Sequence, residues 1–262
     1  MAAALNNNDS SQTLEGRAKV GDLAGVARLL AQGADLRKQA ANALETAAEH
    51  GHAECVKILI PAANPKANES LALRIAAYYG RVECVKILIP FSDPKAENSC
   101  ALYLAARHGH AECVKLLIPV SDAKDNDSLA LRWAAHNGYS ECVKLLIPAS
   151  DPKAENSNAL CMASENGHLD CVKLLLPVSA PLIEVEDIVS EALCSGHASI
   201  LSAMLAHEPL LLGLMDLAAV LDAAVAENHF DLQSLLRSLI EQQDLDTHLS
   251  ASTAAVHKPS RL

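Results

Sequence analysis

The chain of 262 residues carries 21 basic and 32 acidic side chains, a formal net charge of −11, which disfavours a nucleic-acid partner because an acidic surface repels phosphate backbones. The same charge is compatible with a partner protein that has a basic surface. Half of the residues are hydrophobic but only 3% are aromatic, so the core is predicted to be aliphatic, which favours packed helices over a β-sandwich.

The N-terminal segment 1–12 is polar and has neither the basic start nor the apolar run of a signal peptide. We expect it to be a disordered tail. No stretch of the chain reaches the roughly 18 apolar residues of a membrane helix, and the most apolar segment, 209–221, is short and contains Asp216. A cytoplasmic location is therefore predicted, and secretion by a route without a cleaved signal stays open.

From residue 13 onward the chain repeats itself. Residues 51–61 read GHAECVKILIP, and near-identical segments follow at intervals of 29 residues, beginning at Gly80, Gly109, Gly138 and Gly167. More divergent copies begin at Gly21, Gly196 and Asn228. Self-similarity at a fixed period of this length indicates an array of stacked structural units.

Each copy has the pattern of two short helices, which residues 91–119 illustrate. Ser99 stands where the N-cap of the first helix is expected, Gly109 where a left-handed residue ends that helix, and Pro119 where the second helix must stop. The apolar residues between these markers have helical spacing, and they are Ala101, Leu102, Ala105, Ala106, Cys113, Val114, Leu116 and Leu117.

One such helix pair cannot bury its apolar face alone, whereas stacked pairs bury it continuously. We therefore predict an all-α solenoid of about eight helix pairs over residues 13–240. The copies are expected to end near residues 32, 61, 90, 119, 148, 177, 206 and 240. Segment 241–262 is rich in Gln, Ser, Thr and charged residues, and is predicted to be a disordered tail.

The pattern ALxxAAxxGHxECVKLLI, clearest in residues 43–60 and 101–118, resembles the ankyrin repeat, and 33–35 (Gly-Ala-Asp) resembles the start of the ankyrin β-turn. The resemblance implies a helical repeat solenoid that binds other proteins and is not an enzyme. Two departures are visible. The period is 29 instead of about 33, and Ser-x-Ala-Leu replaces the usual Thr-Pro-Leu-His, so shortened loops between the repeats are predicted.

Comparison of the copies within the chain separates scaffold positions from a candidate binding surface. The Gly, Cys-Val-Lys and Ala-Leu positions barely change, whereas the two positions before each glycine and one position within each first helix vary. In ankyrin-like stacks this end of the first helix faces the concave groove. We predict that a partner contacts the third to fifth copies through Arg74, Tyr78, Tyr79, Tyr103, Arg107, His108, Arg132, His136 and Asn137.

The aromatic residues support this location, since six of the seven lie within residues 78–139 and interface hot spots are enriched in Trp, Tyr and Arg. We expect the Tyr78–Tyr79 pair to be exposed for contact. For Phe91 and Trp133 the alternative is that they fill gaps in the core. For Trp133 we favour this alternative, because apolar residues occupy its equivalent position in other copies.

Cysteine and histidine residues, which could act in catalysis or metal binding, recur periodically along the chain and do not form one special site. Equivalent positions in stacked helices lie about 8–10 Å apart, beyond the roughly 7 Å that a disulfide allows, so one periodic set of cysteines is predicted to act as small core hydrophobes. That set is Cys55, Cys84, Cys113, Cys142 and Cys171. Segments such as His110–Glu112 lack the Cys-x-x-Cys that zinc deaminases require. We predict no catalytic residue, no metal and no cofactor.

The sequence thus predicts a monomeric protein–protein interaction module, acting as an adaptor, scaffold or inhibitor, with no nucleic-acid or membrane partner. Two alternatives stay open. The chain could be a self-associating structural protein that uses the apolar segment 210–221, or a secreted effector or toxin-neutralising partner. Enzymatic activity is not expected.

Overall fold

A computed structural model of the chain describes most of its residues, namely 13–32, 37–180, 196–209, 211, 216–226 and 228–256. All regular secondary structure within these ranges is helical. The predicted N-terminal tail 1–12 and the turn-like motif 33–35 lie outside the described residues.

The helices alternate between a first and a second helix of each copy. The first six copies contain α1 (Leu14–Lys19), α2 (Leu23–Ala31), α3 (Arg37–His50), α4 (Ala53–Leu59), α5 (Ala67–Tyr78), α6 (Val82–Leu88), α7 (Ala96–Arg107), α8 (Ala111–Leu117), α9 (Asp125–His136), α10 (Ser140–Leu146), α11 (Ala154–Glu165) and α12 (Leu169–Leu175). The last two copies contain α13 (Ala198–His207), α14 (Leu217–Ala226) and α15 (Phe230–Val256). Residues 181–195, which precede α13 in the chain, lie outside the described ranges.

The helix pairs stack side by side into an all-helical solenoid. Each first helix packs on the first helices before and after it, from α1 through α11, and the second helices stack in the same way from α2 through α13. The first helices share more extensive interfaces with one another than the shorter second helices do. We call the exposed side of the first-helix layer, which runs across the copies, the groove.

Small and aliphatic side chains fill the space between the two layers, and the copies repeat the same core. In the fourth copy, the predicted face Ala101, Leu102, Ala105 and Ala106 is buried, and so are Cys113, Val114 and Leu117 of the second helix, while Leu116 is partly buried. Burying one leucine side chain contributes about 1.5–3 kcal/mol. The paired alanines, which add little volume, allow the first helices to pack at close range.

The start of four first helices, α5, α7, α9 and α11, differs from the prediction. Glu97, Asn98 and Ser99 all have left-handed backbone angles, with φ of 51°, 53° and 56°. This conformation costs an L-residue about 1–2 kcal/mol and is tolerated best by Gly, Asn and Asp. The same left-handed triplet forms a kink in the first turn of α5, α9 and α11. The predicted N-cap role of Ser99 is therefore wrong, because an N-cap residue has extended backbone angles.

The left-handed turn instead directs the serine hydroxyl toward the next copy. Ser99 Oγ accepts a hydrogen bond from the backbone N–H of Asp122 at 2.9 Å and donates one to Asp125 at 2.6 Å. Equivalent bonds to the backbone of the following copy are accepted by Ser70, Ser128 and Ser157. These serines are buried, so each one joins two successive inter-repeat turns and satisfies a backbone donor there.

The last helix also differs from the expectation, since α15 continues to Val256 and so extends past residue 240 into the segment predicted to be a disordered tail. Leu232 and Leu236 are buried and fix the start of this helix to the preceding copies. The residues that follow include straight-chain Leu, Glu and Gln, which lose little entropy in a helix. The polar composition of the segment after residue 240 therefore does not indicate a helix, because the buried residues that anchor α15, Leu232 and Leu236, precede that segment.

Candidate protein-binding groove

The exposed face of α5 and α7 contains a cleft of about 440 Å³. Its floor and walls are apolar or aromatic, with one guanidinium group and one thiol, and they comprise Leu71, Arg74, Ile75, Tyr78, Tyr79, Cys100 and Leu104. Three of the nine residues predicted to contact a partner, Arg74, Tyr78 and Tyr79, therefore meet in one concave surface. We call this surface the tyrosine cleft.

The tyrosine cleft follows from the helical spacing of its residues. Leu71, Ile75 and Tyr78 are separated by four and three positions, so they lie on one face of α5. Leu104 stands 29 residues after Ile75 and occupies the same position on α7. The sequence prediction did not include Leu71, Ile75, Cys100 or Leu104 among the surface residues. The signal that would have found them is this shared helix face, which also contains Tyr78.

Tyr78 and Tyr79 are exposed, as predicted, with 40% and 42% of their surfaces accessible. Their rings pack edge to face at 4.8 Å, and the Tyr78 ring also lies 4.2 Å from the imidazole of His108 on the next copy. The Glu49 carboxylate nearby raises the pKa of the Tyr79 phenol, with burial adding to this effect. Burial, aided by the adjacent Arg107, lowers the pKa of His108, so its imidazole is neutral at pH 7.

A second cluster lies on α7 and α9, one copy further along the groove. The Arg107 guanidinium donates a hydrogen bond to the Tyr103 hydroxyl at 2.7 Å and lies 4.6 Å above the centre of the Trp133 ring. A cation over an aromatic face is held electrostatically. The Arg107 side chain is thus fixed in place while remaining exposed to solvent, so its charge is available to a partner.

The interpretation of Trp133 as a core residue is wrong. Its side chain is only partly buried, and the equivalent residues Ile75 and Leu104 line the tyrosine cleft. Trp133 therefore belongs to the groove, where its ring also packs edge to face on His136 at 5.0 Å. The alternative of a core role fails for Phe91 too. This residue ends a short 3-10 turn after α6 and is 49% exposed.

Two further predicted residues are already engaged within the protein. Arg132 donates to the backbone carbonyl of Asn126 at 2.8 Å and forms an ion pair with Glu155 at 3.3 Å. The Asn137 amide donates to the carbonyls of Trp133 at 2.9 Å and Arg107 at 3.3 Å. Asn137 thus satisfies helix-end carbonyls and ties two copies together, which explains this position without a partner.

The five periodic cysteines are buried, and their thiols are not activated as nucleophiles. Burial raises the pKa of Cys84, Cys113, Cys142 and Cys171 to about 11, whereas reactive thiols have a lowered pKa. All seven cysteines in the described ranges, which exclude Cys194, are free thiols. Across the same ranges, no group of three or more His, Cys, Asp or Glu side chains is arranged to hold a metal ion.

Stacked helix pairs of this kind define a helical repeat protein, and the tyrosine cleft lies on the exposed side of its first helices. The chain belongs to the ankyrin repeat family, since the family model "Ankyrin repeats (3 copies)" matches residues 17–98, 90–156 and 131–216. A similar solved structure is an ankyrin repeat domain from Acinetobacter baumannii AYE, with 26% identity and a TM-score of 0.53. The likeness covers 64% of this chain and 98% of that domain.

The search of curated proteins found no match to this chain. Ankyrin repeats are in general protein–protein interaction modules, and their fold is typically non-catalytic. Among the helices of the described residues, none combines the length and the apolar character needed to cross a membrane.

Proposed function

We propose that this ankyrin repeat protein binds a partner protein in the groove formed by α5, α7 and α9, and that it acts as an adaptor, scaffold or inhibitor. The observation that carries the proposal is the concentration of exposed aromatic and arginine side chains in the third to fifth copies. Tyr78, Tyr79, Arg107 and Trp133 lie on one continuous face. Side chains of these types dominate the binding energy of protein interfaces.

The dimensions of this face suit a macromolecule. Adjacent helices in the stack are about 8–10 Å apart, so a surface spanning α5, α7 and α9 is roughly 20 Å long. The tyrosine cleft is apolar at its floor and open to solvent, and the arginine over Trp133 lies beside it. An extended or helical segment of another protein would fill the cleft with one side chain and contact the neighbouring copies with others.

The free thiols of the described residues support a reducing compartment such as the cytoplasm as the place of action. No catalytic residue is needed for the proposed role. We also propose that the chain acts as a monomer, because the stack itself buries the hydrophobic faces of the helices in the first six copies.

Self-association is a second candidate, favoured by apolar exposure in the last copy. Phe230 is 74% exposed, and Val225 and Leu245 are exposed as well. Much of the apolar segment 210–221 assigned to this role lies outside the described residues. Light scattering of the full chain and of Phe230→Ser separates the two states. A dimer that Phe230→Ser converts to a monomer would favour self-association through this copy.

The groove is tested by affinity purification with three forms of the chain. These are the wild type, Tyr78→Ala/Tyr79→Ala, and the control Lys86→Ala/Lys115→Ala on exposed positions of α6 and α8. The proposal predicts a protein retained by the wild type and by the lysine control but lost from the tyrosine variant, and binding should persist with purified components. Loss from the lysine control instead, with retention by the tyrosine variant, would place the binding surface on the second helices.

A further inference from the structure

Two arginines on the first-helix face have no carboxylate bound to them, although the chain as a whole is acidic, with 32 acidic and 21 basic residues. Arg74 and Arg107 form no ion pair with any carboxylate of the described residues, whereas Arg132 on the next copy pairs with Glu155. Arg74 and Arg107 belong to the third and fourth copies.

Arg74 has an unmet hydrogen-bonding requirement. Its Nε atom is buried and meets no hydrogen-bond acceptor among the described residues, although a buried donor without a partner costs about 1–3 kcal/mol. Glu97 raises the pKa of the nearby Glu69 carboxyl and the Arg74 charge partly offsets this, but Glu69 and Arg74 form no ion pair. The guanidinium of Arg74 lines the tyrosine cleft beside the Cys100 thiol, with no carboxylate bound to it.

The Arg107 guanidinium is fixed in position but has no ionic partner among the described residues. The Tyr103 hydroxyl and the Trp133 ring fix its guanidinium, yet both contacts are with uncharged groups. A guanidinium fixed in one geometry loses less entropy when it binds a carboxylate in a two-point arrangement. Carboxylates of the chain flank the two arginines: Glu69 lies near Arg74, Glu49 near Tyr79, and Glu155 beside Arg132. These carboxylates limit where acidic groups of a partner can sit.

We propose that the groove recognises an acidic peptide segment of the partner, in which a bulky apolar side chain fills the tyrosine cleft and flanking carboxylates bind Arg74 and Arg107. This inference rests on the proposed function, and it names the partner's chemistry. Arg107 occupies the position of Tyr78 one copy later, so it lies four residues, about 6 Å, further along the helix direction than Arg74. With adjacent helices about 8–10 Å apart, the α-carbons of the two arginines are roughly 10–12 Å apart. An extended chain advances about 3.3 Å per residue, so the carboxylates are three or four residues apart with the apolar residue between them. The overall charge of −11 would suggest a basic partner surface, but the groove itself selects an acidic segment.

The test begins with selection of binders from an unbiased library of random peptides displayed on phage, using the full chain as bait. Selected peptides are synthesised in three forms, with their acidic residues kept, replaced by Asn and Gln, or replaced by Lys. Binding is measured by fluorescence anisotropy to the wild type, Arg74→Gln, Arg107→Gln and Arg74→Lys. Arg237→Gln serves as the control, because it removes an exposed positive charge from α15, away from the groove.

We expect the selected peptides to contain an apolar residue between acidic ones. Their affinity should fall about tenfold or more for Arg74→Gln or Arg107→Gln, in line with the strength of a hydrogen bond to a charged group. It should fall less for Arg74→Lys, stay unchanged for Arg237→Gln, and weaken as salt is raised. Unchanged melting temperatures show that the variants remain folded.

Neutral or basic peptides that lose binding in Tyr78→Ala/Tyr79→Ala would overturn the acidic-segment inference and leave the proposed function standing. Acidic peptides that bind Arg74→Gln and Arg107→Gln as tightly as the wild type would overturn it in the same way. A selection that yields no peptide dependent on the two tyrosines would remove the proposed groove itself, and with it both conclusions.

Discussion

The imidazole of His110 lies directly against the α-carbon of Gly80 in the preceding repeat. A Cβ atom added to Gly80 would stand 2.5 Å from His110 Nδ1, and His110 Nε2 is 2.9 Å from the carbonyl oxygen of Tyr78. Similar ring-to-carbonyl contacts are made by His52, His168 and His197. Each of these histidines thus packs against the glycine of the preceding repeat. That glycine provides both a left-handed turn and the space that the imidazole ring occupies.

A comparison of two glycines separates these two roles. Gly80 and Gly51 both have positive φ, of 65° and 79°, but a Cβ at Gly51 would meet the flexible Arg81 side chain at 3.0 Å rather than a ring. Gly51→Ala is expected to cost about 1–2 kcal/mol for the left-handed conformation. Gly80→Ala should cost at least about 1 kcal/mol more, because it displaces His110 and breaks its hydrogen bond. Urea denaturation measures both, and equal losses would contradict the contact with the ring.

The buried serines predict a stability effect at a position that sequence rules assign to a helix cap. Ser99→Ala removes the acceptor for the Asp122 N–H and a donor to Asp125, and it should lower the free energy of unfolding by about 1–3 kcal/mol. The control Ser202→Ala, on an exposed face of α13, should change it by less than about 0.5 kcal/mol. If Ser99→Ala matched this control, the inter-repeat bond would contribute nothing measurable.

The buried periodic cysteines predict that the free energy of unfolding falls at alkaline pH. Burial raises the folded-state pKa of Cys113 to about 11, above the roughly 8.5 of a free thiol, so the folded state keeps its proton after the unfolded chain has lost it. This contribution is complete below the unfolded pKa, and it disappears as the pH rises toward 11. Each such thiol should add a slope of up to about −1.4 kcal/mol per pH unit in that window.

Cys113→Ala isolates one of these thiols. Chemical denaturation between about pH 8 and pH 10 should show a lower stability at pH 8 but a flatter decline than in the wild type, since one titrating group is gone. Lys115→Gln, which removes an exposed alkaline group two residues away, should leave the slope unchanged. A wild-type slope that survives in Cys113→Ala would show that this thiol is not desolvated in the folded protein.

Much of this structure follows from the 29-residue period, and the rest depends on contacts that a single repeat does not contain. The helix ends at Gly109 and Pro119 and the buried face around Cys113 are fixed by local sequence, so the pattern predicts them. The role of Ser99 was missed because its bonding partner belongs to the next copy. Trp133 was misplaced for a similar reason, since the face that it shares with Leu104 becomes a groove only after the copies stack.

Among the predicted site residues, the sequence indicates exposure correctly at Tyr78 and Tyr79, but it does not reveal contacts between copies. Tyr78 and Tyr79 are exposed as expected. Asn137, selected because its position varies between copies, uses its amide to satisfy backbone carbonyls. Variation between copies therefore marks both exposed residues without such bonds and residues that satisfy helix ends, and only the hydrogen bonds distinguish the two.

The tyrosine pair predicts a separation of binding from stability. Tyr78→Ala/Tyr79→Ala should weaken binding of an identified partner by at least about tenfold, as expected for aromatic hot spots, with little change in melting temperature because both side chains are exposed. Phe91→Ala is the matched control, an exposed aromatic residue outside the groove; it should change neither quantity. A parallel loss of binding and stability would show that the pair is structural.

Site-specific photo-crosslinking tests most directly whether the first-helix groove is the binding surface. A photoreactive amino acid is introduced at Tyr103 on α7 in one form of the chain and at Lys115 on α8 in another, and the crosslinked partner is quantified by mass spectrometry. If the partner binds in the groove, crosslinking is efficient from position 103 and only at background level from position 115. Crosslinking from position 115, with none from position 103, would contradict binding in the groove.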